Sequence, residues 1–234
     1  VYCAEDERDP ASSSSNPVVS AFHLKVPTLG DRIKAANPGS LNVAVSGKDR
    51  AVVMMGGHAI DAGYWWKNSG FTTFAGRELS PSVAAENRLA QAQIARGAAG
   101  YAVPAWCRAH DRALPVGQFA VGAGRFAMEA KRADQFSRSP RMDAATVNLA
   151  LRLSEELDLG RRGETDVLSV SLSATDYIGH AMGNQGLEMC IQMAELDKAV
   201  GRLLAGLDAR KLDYVVVLTA DHGGIDLPER LGQQ

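Results

Sequence analysis

Two short stretches place an Asp and a His just behind an apolar run. In the first, the run at 166–172 leads into Ser173-Ala174-Thr175-Asp176-Tyr177-Ile178-Gly179-His180. In the second, the run at 215–219 leads into Ala220-Asp221-His222-Gly223-Gly224. Open α/β sheets build their sites at the carboxyl ends of strands, and neighbouring parallel strands bring such stretches together. Carboxylate oxygen with imidazole nitrogen is a donor set for zinc or a similar divalent ion. Asp176, His180, Asp221 and His222 together suit a two-metal site, in which ions about 4 Å apart hold a phosphoryl oxygen between them. A lone Asp-His dipeptide is ordinarily a turn. Two such pairs, each behind an apolar strand and joined by one crossover helix, favour the metal reading.

A third stretch is Ser46-Gly47-Lys48-Asp49-Arg50. In extended backbone Lys48 and Arg50 project to one face. A compact ammonium beside a planar guanidinium is a good clamp for the oxygens of a terminal phosphate. A Lys-x-Arg pair is common on solvated loops. This one gains weight from the apolar strand at 41–45, whose carboxyl end faces the same crevice if the sheet is parallel.

The elements that must position these groups are readable in outline. The 234 residues are 46% hydrophobic and 22% charged, with 25 basic against 27 acidic side chains. That composition excludes disorder as the main state, and the charge balance excludes a broad polycationic face for nucleic acid. No run approaches the roughly 20 apolar residues of a bilayer span. Residues 1–16 are polar and read as a loop. Residues 28–36 read as a short helix, with Thr28 as N-cap and Asp31 at the third helical position. The apolar run 51–55 leads into the Gly56-Gly57 turn, and an amphipathic segment covers about 82–98.

Residues 100–141 lack periodicity and read as an irregular cap or insertion. Helical composition returns at 143–157, and 166–172 is a strand. Met189, Met193, Leu196, Val200, Leu203 and Leu207 then mark one face of a long helix. The all-apolar run 215–219 reads as a second, doubly covered parallel strand, which makes strand, helix and strand a βαβ unit. The fold class is α/β, a mostly parallel sheet with helices on both faces. His58 reads as structural, and His23 and His110 have no ligand-like companions. Tyr64-Trp65-Trp66 reads as core rather than pocket lining. With no CxxC pattern, Cys190 reads as a buried free thiol, while Cys3 and Cys107 can pair in an exported protein.

These motifs, with Val26-Pro27-Thr28-Leu29-Gly30-Asp31-Arg32, resemble the alkaline phosphatase superfamily over nearly the whole chain. Within it they resemble the type I phosphodiesterase family, in the branch of nucleotide pyrophosphatase/phosphodiesterase-like alkaline phosphatases with a threonine nucleophile. The resemblance implies an alkaline-phosphatase-like fold and two zinc ions. Asp176 and His180 match ligands of one zinc, and Asp221 and His222 match ligands of the other. Lys48 and Arg50 match the catalytic pair that contacts non-bridging phosphate oxygens. The diesterase relatives lack the Lys of that pair. The implied reaction is hydrolysis of small-molecule phosphate monoesters through a phosphothreonine intermediate, in a periplasmic or secreted protein. The alternatives are a phosphodiesterase or nucleotide pyrophosphatase of the same superfamily, or a metal-poor remnant without catalysis.

Several of the family's residues have no counterpart here. The nucleophilic Thr, an Asp ligand and a phosphate-contacting Asn precede the matched region, and a further His ligand follows it. Thr28 matches a later helix start and reads as an N-cap, not a nucleophile. The chain is therefore expected to be an internal piece truncated at both ends, binding metal weakly and turning over little.

Overall fold

The computed structural model describes residues 2–232. After an irregular segment, α1 (Leu29–Ala36) opens with the capping box expected of Thr28 and Asp31. The Thr28 hydroxyl accepts the Asp31 N–H at 3.1 Å, and the Asp31 carboxylate accepts the Thr28 N–H at 2.8 Å. Next come β1 (Asn42–Ser46), α2 (Asp49–Gly56), β2 (Ala62–Lys67), β3 (Gly70–Thr72) and α3 (Pro81–Arg96). Residues 100–141 are less featureless than their sequence. They hold a 3-10 turn (Ala105–His110), a small hairpin of β4 (Leu114–Val116) and β5 (Phe119–Val121), and the short α4 (Ala133–Ser137). The chain continues through α5 (Pro140–Glu156), β6 (Val167–Ser171), α6 (Ala174–Met182), α7 (Leu187–Ala209) and α8 (Pro228–Leu231).

The main sheet has the order β3-β2-β1-β6. Strand β1 runs parallel to both neighbours, with Val43 opposite Ala62 and Leu168, while β3 is antiparallel to β2. Every residue of β1 is buried, as a central parallel strand requires. Alternation along β1 separates two cores. Val43 and Val45 point into the larger one, with Trp66, Phe71, Phe136, Met142, Leu149 and Ile178. Ala44 points to the other face, where Val52 of α2, Ile60 and Trp65 close over it. Helices thus cover both faces of a mostly parallel α/β sheet. The aromatic run at 64–66 is core, and Trp66 stacks on Phe136 with ring centroids 5.0 Å apart.

Two expectations fail. Residues 215–219 form no strand: β6 is the edge of the sheet, and Val215 and Val217 are 91% and 82% exposed. An apolar run signals what a segment can bury, but a strand also needs a hydrogen-bonding neighbour, and among the described residues this segment pairs with none. The βαβ unit accordingly lacks its second strand, and the outer half of the α7 stripe is only partly covered, with Met193 38% exposed. The cysteine pairing also differs. Cys107 and Cys190 form a disulfide, their Cα atoms 5.7 Å apart, whereas Cys3 is free and exposed. The 3-10 turn packs on α7 with Leu187 and Ile191, so packing across 83 positions of sequence sets the partner.

Candidate active site

The carboxyl ends of β1 and β6 lie side by side, with Ser46 opposite Ser171. The Ser46 and Ser173 hydroxyls meet at 3.1 Å in the interior, tying the two strand ends together. Gly47 follows because the chains approach closely there: a Cβ on it would sit 3.0 Å from Ser173 Cβ. The Ser46 hydroxyl also accepts the Lys48 N–H at 3.0 Å, which sets the turn into α2.

Lys48 and Arg50 do not share one extended strand face. Lys48 is the extended N-cap residue of α2, and Arg50 is already helical, on its exposed side. The run 51–55 is the body of that helix. Lys48 is buried and points inward, where its Nζ donates to Asp176 Oδ2 and lies 4.7 Å from the centroid of the Tyr177 ring.

Asp176 and His180 lie on α6, not on a loop. They are four residues apart and so share one helix face. His180 Nε2 is 3.2 Å from Asp176 Oδ1. His222 arrives from the unpaired C-terminal segment, with Nε2 3.3 Å from the same Asp176 oxygen and 3.5 Å from Asp221 Oδ2. Asp176, His180 and His222 therefore converge with Lys48, while Asp221 sits at the margin, joined among the described residues through His222. Burial opposes charge on Asp176. The Lys48 ammonium and the two imidazoles outweigh it and hold its carboxyl below the usual range. The Gly223 carbonyl, which meets His222 Nδ1 at 2.7 Å, and then Asp221 raise the His222 imidazole.

Carboxylate and imidazole donors fit a divalent cation in type. Their arrangement does not complete a site: among the described residues no three His, Cys, Asp or Glu side chains are grouped to hold a metal. The positions set aside in the sequence behave as structural groups. His58 sits 3.6 Å from Asp31, His23 pairs with Glu7, and His110 Nδ1 meets the Gln185 carbonyl.

Two residues at the site were not singled out in the sequence. Tyr177 adjoins Asp176 on α6, and its ring lies beside Lys48. Tyr2 reaches Asp49 across 47 positions, for which no local pattern gives a signal.

Residues 43–233 match the type I phosphodiesterase / nucleotide pyrophosphatase family. The chain belongs to this family. It is 46% identical to the alkaline phosphatase PhoK of Sphingomonas sp over 232 residues, which is 98% of the chain and 41% of that protein. It is 42% identical to the alkaline phosphatase PhoD of Zymomonas mobilis over 98% of the chain and 40% of that protein. The crystal structure of wild-type alkaline phosphatase PafA superimposes with a TM-score of 0.73 at 25% identity, covering 90% of this chain and 44% of that one. The chain thus spans about two fifths of the length of the family members it matches. The shared fold accounts for the mostly parallel sheet beyond whose adjoining strand ends Lys48 and Asp176 meet.

Proposed function

We propose that this chain is the phosphate-gripping part of a zinc-dependent phosphomonoesterase of the alkaline phosphatase type, acting on small-molecule phosphate esters. One observation carries the reading: Lys48, Asp176, His180 and His222 meet at the carboxyl ends of two adjacent parallel strands. By the resemblance, Asp176 and His180 would supply two of the ligands of one zinc, and Asp221 and His222 two of the other's. A zinc held by these residues would supply Lewis-acid stabilisation to a bound phosphate.

The chain's own cations divide the remaining work. Lys48, buried and braced by the Tyr177 ring, presents a point charge to one non-bridging oxygen. Arg50, at the exposed start of α2, offers a planar fork to another. A monoester dianion has a terminal oxygen for each cation. A diester has one fewer charged oxygen, so it gains less from Lys48. Thr28 is committed to its capping box, so the phosphothreonine step of the resemblance is assigned to no residue of this chain.

The 100–141 hairpin region is the proposed cap of the same domain, held on α7 by the disulfide and by Glu188, which accepts the Gly122 and Gly124 N–H groups at 2.8 Å. A disulfide favours an oxidising compartment and so supports a periplasmic or secreted location. No helix among the described residues is long and apolar enough to cross a membrane.

The test is turnover of p-nitrophenyl phosphate and of its bis-ester at high protein concentration with zinc supplied. Slow monoester release that falls at least about tenfold in Lys48→Ala, with diester release nearly unchanged, is the expected result, as loss of a charge-assisted contact implies. Equal loss on both esters favours the phosphodiesterase reading. No zinc retention and no release leave a metal-poor remnant.

A further inference from the structure

The two cations of the clamp are held in different ways. Lys48 is fixed from α6, by Asp176 on one side and the Tyr177 ring on the other. Arg50 lies on the open side of α2, and its partner comes from outside that helix. The Tyr2 hydroxyl donates to Asp49 Oδ1, the same oxygen that accepts the Arg50 backbone N–H at 2.7 Å. Burial disfavours charge on the Arg50 guanidinium, but the adjacent Tyr2 phenol oxygen, with Tyr177 and Asp49 nearby, holds it above its ordinary value.

Tyr2 is not carried there by a loose tail. Ala4 is fully buried, its carbonyl accepts the Ser20 N–H at 2.9 Å, and the Asp6 N–H donates to the Val18 carbonyl at 2.8 Å. Val19 then packs on Ala44, Val52, Ile60 and Trp65, the core directly beneath α2. The irregular segment before α1 is therefore a strap docked on the helix that bears Arg50, with Tyr2 at its end.

We infer that Tyr2 is a positioning residue for Arg50: the strap, anchored at Asp49, holds the guanidinium at the start of α2 before a phosphate arrives. This rests on the phosphate-contacting reading of Arg50 given above. An arginine on an exposed helix face samples many rotamers, and fixing one in advance removes an ordering cost from ligand binding. The clamp then draws on three separated parts of the chain, namely the strap, the β1–α2 turn and α6.

The experiment compares the zinc-supplied chain with Tyr2→Phe, Arg50→Ala and the double variant, using inorganic phosphate as the titrant in calorimetry. Alongside, the Arg50 side-chain Nε–H signal is followed by nitrogen-15 NMR without phosphate. Tyr2→Phe is expected to weaken phosphate binding roughly three- to tenfold, the usual size for one hydrogen bond to a charged group. It should add nothing in the Arg50→Ala background, and it should average out a protected Arg50 signal while the melting temperature changes little. If Arg50→Ala weakens phosphate and Tyr2→Phe alters neither phosphate affinity nor the Arg50 signal, the inference is overturned and the clamp reading stands. If the unmodified chain takes up no phosphate, or Arg50→Ala leaves its affinity unchanged, the clamp reading falls and this inference falls with it.

Discussion

Replacing Cys107 and Cys190 together by Ala removes a cross-link between positions 83 apart in sequence. In the chain-entropy picture, closing a loop of that length in the unfolded ensemble is worth about 4.5 kcal/mol at 25 °C. The folded side should change little. Leu187 and Ile191 are buried beside the bridge with Tyr101, Val103 and Phe126 around them, and Glu188 still grips the Gly122 and Gly124 N–H groups. The loss is thus expected to show as a lower global stability, not as local release of the hairpin. For a domain of this size it corresponds to a fall in melting temperature of about 9–18 °C. Calorimetric melting of the unmodified and doubly substituted proteins measures the first effect. Hydrogen exchange at residues 101–125 measures the second. Equal melting temperatures, or exchange lost only in 101–125, would refute the reasoning, because the bridge would then be holding a local flap and not restricting the unfolded chain.

Thr28→Ala is expected to cost about 1 kcal/mol through loss of the capping box while leaving zinc and phosphate binding intact; urea unfolding and calorimetry separate the two, and lost binding at unchanged stability would contradict the capping role. Asp143 gives a pH signature. Burial lifts its carboxyl to about 6, despite hydrogen bonds from the Ala174 N–H and the Gln192 amide. A folded-state value above the unfolded one means the folded protein binds the extra proton between about pH 4 and 6. Its contribution is therefore present below about pH 4 and is lost as pH rises through about 6, up to about 3 kcal/mol in all. The unfolding midpoint of Asp143→Asn should lack that part of the decline, and parallel pH profiles of the two proteins would count against it.

Much of this architecture is legible in the sequence where the signal is local. The capping box at Thr28 and Asp31, the Pro81 start of α3 and the apolar β1 and β6 need only residues near in the chain. Asp176, His180 and His222 are legible as donors because each follows an apolar run. Their supports are less so. Helix α6 was hidden because Ser173 and Thr175 read as turn formers, yet packing of Ala174 and Ile178 into the core overrides that preference. The turn into α2 was hidden because the apolar content of residues 51–55 suits a strand as well as a helix. Arg50 consequently sits in the first turn of α2 and shares no extended strand face with Lys48. The Cys107–Cys190 bridge and the Tyr2–Asp49 bond join distant segments, and no short pattern announces such partners. Residues 215–219 failed for a different reason: apolar content tells what a strand would bury and not whether a neighbour offers its edge.

That open flank has a practical side. Among the described residues, strand β6 keeps one row of amide and carbonyl groups without a sheet neighbour, and Val215, Val217, Leu218 and Ile225 stand in water, each more than four-fifths exposed. A bare sheet margin together with greasy, β-branched side chains is a template for sticking to other copies when the protein is concentrated or warmed. Handling at low concentration, or a Val217→Lys change that places a charge there, should keep preparations clear.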